Sequence, residues 1–215
     1  MSSALPPAAL LSTLSHKTSR WFERATAALL GQVPCRAGCC RCCIGPFPIT
    51  ILDRKNIERG LTELSTPRRQ AIQERALTQI AGMEAAFPQL AASPFLDHWP
   101  DPLIEQLVEQ FADLPCPALD SDGRCAIYAF RPLTCRSMGI PSEEDGTVEG
   151  ACEIQTSLPV IRLSPALRRE EEQLAGEEAL ELAAIQRAHP TEGEELLLPY
   201  AFVPKTKSST IDSTA

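Results

Sequence analysis

Apolar residues recur at intervals of three, four and seven along several stretches of the chain, which is the pattern of amphipathic helices. The first stretch predicts a helix within residues 8–30. A second, short helix is predicted over Arg54–Arg59, with Asp53 as its N-cap and Gly60 as a left-handed terminator. The chain therefore begins with helices on both sides of a loop.

Three further helices are predicted where a proline follows a residue with a capping side chain. They begin at Thr66-Pro67, Asp101-Pro102 and Ser164-Pro165, and the last of them reaches about His189. Their inward-facing apolar residues are Ile72, Ala76, Ile80, Met83 and Phe87 in the first, Leu103, Leu107 and Phe111 in the second, and Leu167, Leu174, Leu182 and Ile185 in the third.

Sustained alternation of apolar and polar residues is missing from the sequence, so strands are predicted only as two short extended pieces, Phe47–Leu52 and Cys125–Phe130, which pair with each other. We therefore expect a mainly α, small single domain of about five helices. Its predicted segments are an N-terminal helix in 1–34, a cysteine-rich domain in 35–158, a C-terminal helix and packing segment in 159–204, and a disordered tail in 205–215.

Composition and charge narrow the function classes. Apolar residues make up 44% and charged residues 22% of the chain, which is the balance of a folded globular protein. The net charge of -8 provides no basic field for nucleic acid or an anionic membrane, and no apolar run reaches the roughly 18 residues of a membrane span. We read no signal peptide, and we expect a cytoplasmic protein with neither nucleic acid nor membrane as a partner.

The chemistry-bearing residues are the nine cysteines. Five of them lie between Cys35 and Cys43, and the steps Cys39 to Cys42 and Cys40 to Cys43 have the Cys-x-x-Cys spacing that aims two sulfurs at one ion. Disulfides explain this cluster poorly, because the count is odd and neighbouring cysteines bridge only with strain. The sequence therefore predicts a thiolate metal site.

A second, more widely spaced group of cysteines must meet the first group to share an ion. Its members are Cys116, Cys125, Cys135 and Cys152. Arginines stand beside the cysteines of both groups, at Arg36, Arg41, Arg124, Arg131 and Arg136. Because thiolate sites are anionic, these arginines are a second sign of a metal site, although solvated surface charge is the plainer interpretation.

The residues resemble a known family. Cys39-x-x-Cys42-Cys43, the segment from Cys116 to Tyr128, Arg131-Pro132 and Cys135-Arg136 resemble the YkgJ-type cysteine-cluster family, whose domain is named for zinc or iron chelation. That family usually opens with Cys-x-x-Cys-x-x-Cys-Cys, whereas position 36 here is arginine and the preceding thiol is Cys35. Cys40 matches no family position and is interpreted as an ordinary thiol.

The resemblance implies metal chelation and no particular reaction. The ligands that it implies are Cys35, Cys39, Cys42, Cys43, Cys116, Cys125, Cys135 and Cys152. Around them, Arg131 and Arg136 are expected to donate to sulfur, and Tyr128 to pack beneath the site. Replacing Arg136 with alanine is expected to lower metal retention while leaving the helices intact.

The sequence does not decide which metal binds. Zinc suits all-cysteine sites, and iron fits either as an ion or as an iron–sulfur cluster. Cys35-x3-Cys39-x2-Cys42 has the spacing of a radical-enzyme cluster, and flagellin lysine N-methylase is similar in its cysteines. The leading interpretation is a metal-binding protein whose biochemical role is not assigned. The alternatives are an iron–sulfur protein, a thiol-redox or metal-transfer protein, and an adaptor that binds a protein partner. The isolated His16, His98 and His189 are not expected to be ligands.

Overall fold

The computed structural model describes residues 13–29, 38–144, 147–149, 162–190 and 192–204. Two of the predicted ligands, Cys35 and Cys152, lie outside the described residues, as does the predicted tail in 205–215.

The described part of the chain is mainly helical, as predicted. Its helices are α1 (Thr13–Ala28), α2 (Ile51–Thr62), α3 (Thr66–Ala86), α4 (Gln89–Ala92), α5 (Asp101–Gln110), α6 (Leu133–Ser137) and α7 (Pro165–Ala188). Single 3-10 turns occur at Arg41–Cys43, Tyr128–Phe130 and Leu198–Phe202. The strands are β1 (Pro48–Thr50), β2 (Ser142–Glu144), β3 (Thr147–Glu149) and β4 (Glu195–Leu197).

The three proline-led helices are confirmed. Ser164 is the N-cap of α7, and its side chain accepts a hydrogen bond from the Leu167 backbone N–H at 3.3 Å. The cap of α3 lies one residue earlier than predicted, at Ser65, so that Thr66 is already helical. A proline in the first turn therefore located these helices to within about one residue.

The predicted ends of α2 were wrong. Thr50 is the N-cap, and its hydroxyl accepts from the Asp53 N–H at 3.4 Å, so Asp53 lies within the helix. Gly60 also lies within it, because α2 continues to Thr62. A Cβ on Gly60 would stand 2.7 Å from Cβ of Phe130, so the glycine permits a close approach between α2 and the 3-10 turn Tyr128–Phe130.

The extended pieces do not pair as predicted. Within Phe47–Leu52, β1 forms, but its antiparallel partner is β4, with Ile49 opposite Leu196. The other predicted piece, Cys125–Phe130, contains a 3-10 turn instead of a strand. The β2–β3 hairpin makes a second two-stranded sheet. The partner of β1 is thus supplied by the C-terminal packing segment, about 150 residues away in sequence.

Two apolar clusters hold the described residues together. The larger one joins α2, α3 and α5 to β1, β4 and the C-terminal 3-10 turn, with Ile57, Ile72, Leu107, Leu196 and Phe202 almost fully buried. The smaller one joins α1, α6 and α7 through buried side chains that include Leu14, Trp21, Leu133 and Leu174. The Trp21 indole N–H donates to the Leu167 carbonyl at 2.9 Å, which fixes α1 on α7. None of the helices in the described residues has the length and apolarity to cross a membrane.

Candidate metal centre

The backbone joins the two cysteine groups directly. The Cys116 N–H donates to the Cys43 carbonyl at 2.7 Å, and the Gly45 N–H donates to the Leu114 carbonyl at 2.7 Å. Ile44 and Pro115 form an antiparallel bridge between these two bonds. The predicted meeting of the two groups is therefore present in the fold.

A tight loop then returns the chain from Cys116 to Cys125. Ala126 N–H donates to the Ala118 carbonyl at 2.8 Å, and Leu119 and Cys125 form an antiparallel bridge. Gly123 turns this loop with a φ of 78°, and a Cβ there would come 2.9 Å from the Gly38 carbonyl oxygen. The loop is thereby closed against the first cysteine group.

Side chains from α3 fix the start of the same loop. The Arg75 guanidinium donates to the Pro117 carbonyl through Nε at 2.9 Å and through Nη2 at 2.7 Å. Gln79, one turn further along α3, donates to the Pro115 carbonyl at 2.7 Å. These bonds satisfy carbonyls on both sides of Cys116 and hold its backbone on the helical scaffold.

Cys135 is placed by a different contact. It lies on α6, whose first residue, Leu133, donates its N–H to Oδ1 of Asp53 at 2.6 Å. Asp53 is fully buried in α2, and its Oδ2 has no hydrogen-bond partner among the described residues. Burial raises the pKa of Asp53 to about 7. Sequence reasoning missed this role, because Thr50 and Asp53 both have capping side chains and their order does not show which one is buried.

The ionisation of the thiols shows that five of them share one neighbourhood. Burial, with a smaller contribution from the nearby Cys125, raises the pKa of Cys116 to about 12. Burial also raises the pKa of Cys125, and it raises the pKa of Cys135 well above the usual value, with Cys116 and Cys125 adding to the effect on Cys135. A negative charge on one of these thiols therefore makes ionisation of its neighbours less favourable.

The adjacent thiols of Cys42 and Cys43 have pKa values shifted in opposite directions. A hydrogen bond from Cys43 lowers the pKa of Cys42 to about 6, and the same bond raises the pKa of Cys43. Cys116 and Cys125 raise the pKa of Cys43 as well. Within the 3-10 turn Arg41–Cys43, ionisation is therefore easier for Cys42 than for Cys43.

The predicted ligands fall into three sets. Cys42, Cys43, Cys116, Cys125 and Cys135 are brought together, Cys39 lies half-buried just ahead of the turn together with Cys40, and Cys35 and Cys152 are outside the described residues. No three or more His, Cys, Asp or Glu side chains in those described residues are yet arranged to hold an ion. The donor set nevertheless fits zinc or iron in its chemistry, because these ions bind cysteine sulfur and both cysteine groups supply free, half-buried thiols.

Among the described arginines beside the cysteines, Arg131 interacts electrostatically with thiols of both groups. Arg131 lowers the pKa of both Cys42 and Cys125 through its charge. Its guanidinium carbon lies 4.2 Å from the ring centre of Tyr128 and 4.9 Å from that of Phe22. Tyr128 is 49% exposed, so the expectation that it packs beneath the site was wrong.

Within the described residues, Arg136 donates to oxygen atoms and not to sulfur. All three of its guanidinium nitrogens donate to oxygen: Nε to the Arg131 carbonyl at 3.2 Å, Nη2 to the Ala129 carbonyl at 2.7 Å, and Nη1 to the Ser19 hydroxyl. Burial lowers its pKa to about 10. Arg136 therefore ties the turn before α6 to α1.

Two other arginines lie in solvent. Arg41 is exposed, and Arg124 is exposed and forms an ion pair with Asp122 at 3.5 Å. Arg36 is outside the described residues. For Arg41 and Arg124, the plainer interpretation of solvated surface charge holds.

A family model covers most of these residues. The CxxCxxCC family, described as "Putative zinc- or iron-chelating domain", matches residues 34–153, which is more than half of the chain. The chain belongs to the CxxCxxCC family. No curated protein and no solved structure matches the chain. The family segment contains all nine cysteines, whereas α1 and α7 lie outside it.

Proposed function

We propose that this CxxCxxCC protein binds zinc or iron through cysteine thiolates drawn from both cysteine groups. The observation that carries the proposal is the pair of backbone hydrogen bonds that holds the Cys43 and Cys116 segments side by side. Cys42, Cys43, Cys116, Cys125 and Cys135 are the core of the proposed ligand set, and Cys35, Cys39 and Cys152 are its further members.

The chemistry of the thiols supports a bound cation. The pKa values of Cys43, Cys116, Cys125 and Cys135 are raised by burial and by neighbouring thiols, so that deprotonating all of them without a counter-charge is unfavourable. A divalent ion supplies that charge, and metal binding then displaces the thiol protons. We favour zinc, because a purely sulfur donor set suits a tetrahedral zinc site.

Metal analysis of the protein as isolated tests the proposal. The full chain is purified without oxygen, its visible spectrum is recorded, and zinc, iron and inorganic sulfide are measured per chain. We expect a colourless protein with bound zinc and without sulfide. A brown protein with sulfide would redirect the assignment to an iron–sulfur cluster, and a chain that neither retains nor takes up either metal would overturn it.

A matched pair of variants locates the site. Cys125→Ser removes a thiol from the converging group, and we expect the bound metal to fall well below one ion per chain. Cys40→Ser removes a thiol that matches no family position, and the metal content is expected to stay at the wild-type level. Equal metal content in the two variants would count against the proposed ligand set.

A metal-transfer role in the cytoplasm is the second candidate. It is favoured by the half-buried position of Cys39, Cys40 and Cys42, which leaves sulfur accessible to an acceptor. This role requires a labile ion, and it predicts loss of the metal to a mild chelator within minutes. A tightly held ion favours a structural or sensory site instead.

A further inference from the structure

Cys116 stands between two prolines, Pro115 and Pro117, whose fixed φ and missing N–H limit the bonds that this backbone can make. The Cys116 N–H donates to the Cys43 carbonyl at 2.7 Å, and the Cys116 carbonyl accepts from the Leu119 N–H at 2.9 Å. These bonds leave the carbonyls of the two prolines unused. Partners for those carbonyls must therefore come from outside the loop backbone.

One face of α3 supplies both partners. The Arg75 guanidinium donates twice to the Pro117 carbonyl, at 2.9 and 2.7 Å, and the Gln79 amide donates to the Pro115 carbonyl at 2.7 Å. Arg75 and Gln79 are four residues apart, so they lie one turn apart on the same face of the helix. The peptide groups before and after Cys116 are thereby both fixed to α3.

The opposite face of α3 fixes the helix itself. Ile72 and Ala76 are fully buried in the larger apolar cluster, and Ile80 is nearly so. Because protein interiors are closely packed, these side chains leave α3 little freedom to shift. Through Arg75 and Gln79, the backbone of Cys116 is therefore held in a fixed position relative to the core.

A third contact between α3 and the loop is weaker. Arg68, two turns before Arg75, forms an ion pair with Asp120, and both side chains are partly exposed. Ion pairs in contact with water contribute little to stability. The attachment of the loop to α3 thus depends mainly on Arg75 and Gln79.

We infer that Arg75 and Gln79 are positioning residues of the metal centre, which hold Cys116 in place before the ion arrives and thereby raise the affinity for it. This inference rests on the proposed function, in which Cys116 is a ligand. A ligand that is already held in place loses less conformational entropy on binding than one on a free loop. Part of the metal affinity is therefore set by α3, which contains no cysteine.

Zinc affinity of the reduced full-length chain tests the inference. Competition with a colorimetric chelator gives the association constant, under conditions in which urea unfolding shows each metal-free variant to be folded. A loss of overall stability alone does not change this constant while the metal-free chain stays folded. We expect Gln79→Ala, which removes a donor without changing the net charge, to lower the constant about two- to tenfold. Arg75→Ala removes two bonds and is expected to lower it about 10- to 30-fold.

Two further measurements separate position from charge. Arg75→Lys keeps the charge but has only a flexible ammonium to offer the Pro117 carbonyl, so we expect an affinity between those of Arg75→Ala and the wild type. The loss in Gln79→Ala should persist at high salt, because no charge has been altered. Wild-type affinity in both Gln79→Ala and Arg75→Lys would assign the effect to charge and overturn the inference.

Arg69 and Gln70 provide matched controls in the same helix. Neither side chain donates to the loop of residues 115–125, all of which the structure describes. Arg69→Ala and Gln70→Ala are therefore expected to bind zinc as tightly as the wild type. If they lost as much affinity as Arg75→Ala and Gln79→Ala, the effect would not belong to the loop contacts, and the inference would be wrong.

The outcomes distinguish this inference from the proposed function. A wild-type chain that binds no zinc sinks the proposed function, whereas a wild-type chain that binds zinc no more tightly than Arg75→Ala and Gln79→Ala sinks only the inference. If Arg75→Ala does not fold, Gln79→Ala decides: weaker zinc binding by a folded chain supports the inference, and unchanged binding overturns it.

Discussion

Gly60 lies in the middle of α2 because a side chain there would strike the turn that carries Phe130. Its Cβ would meet Cβ of Phe130 at 2.7 Å and Cβ of Ile127 at 3.2 Å. We expect Gly60→Ala to destabilise the fold by about 1–3 kcal/mol in spite of the better helix propensity of alanine. Chemical unfolding measures this difference.

Gly82 in α3 is the matched control for Gly60. It is helical and exposed, and a Cβ there would meet no atom within 4 Å. Gly82→Ala should therefore stabilise the protein by up to about 1 kcal/mol. If both alanine variants were more stable than the wild type, the close approach of α2 to Phe130 would be refuted.

Asp53 makes the stability of the fold depend on pH. Burial raises its pKa from 3.8 in the unfolded chain to about 7 in the folded protein. Between these two values the folded state binds more protons than the unfolded state, so this contribution to the free energy of unfolding falls as the pH rises from about 4 to 7. Each pH unit of that window costs at most about 1.4 kcal/mol.

Asp53→Asn tests this dependence, because the amide oxygen can still accept from the Leu133 N–H but does not titrate. The difference in free energy of unfolding between the variant and the wild type, measured on the metal-free reduced protein, should shift in favour of the variant as the pH rises from 4 to 7. A constant difference across that range would show that Asp53 keeps its ordinary pKa.

At the scale of single residues, the sequence was a better guide to the cysteines of the candidate site than to the roles of the arginines around them. The Cys-x-x-Cys spacing and the second group pointed to two segments whose backbones do meet, at Cys43 and Cys116. The contacts of Arg131 and Arg136 include Phe22 and Ser19 of α1, respectively. Such contacts across more than 100 residues leave no local pattern to read.

Among the elements, α7 depends on the cap at its N-terminus. The Ser164 hydroxyl accepts from the Leu167 N–H, whereas the hydroxyl of Ser65, the corresponding residue of α3, makes no capping bond. We expect Ser164→Ala to lower the free energy of unfolding by about 1 kcal/mol and Ser65→Ala to lower it less. Equal losses in urea unfolding would contradict the observed difference between the two caps.

The helices could be predicted from sequence because their signals are local. A proline in the first turn and an apolar stripe such as Ile72, Ala76 and Ile80 are contained within one segment. β4 has only three residues and no alternation, and it becomes a strand because β1 and the Phe95 segment pair with it on either side. That pairing is set by the tertiary fold and not by the propensity of Glu195–Leu197.

In the molecule as a whole, the candidate centre is carried by a scaffold that is largely independent of it. The two apolar clusters consist mainly of leucine, isoleucine and aromatic side chains, and of the seven cysteines that the structure describes, Cys116 and Cys125 alone pack against them. Metal binding is therefore expected to add to the stability of a fold that already exists.

This arrangement predicts a folded metal-free protein that zinc stabilises further. At free zinc about 100 times the dissociation constant, binding contributes about 2.7 kcal/mol, which corresponds to a rise in melting temperature of about 5–10 °C for a chain of this size. Circular dichroism melts with zinc and with a strong chelator measure the shift, and Cys116→Ser should abolish it. If the chelator removed the helical signal at room temperature, the metal would instead be holding the whole fold together, and the apolar clusters would be insufficient without it.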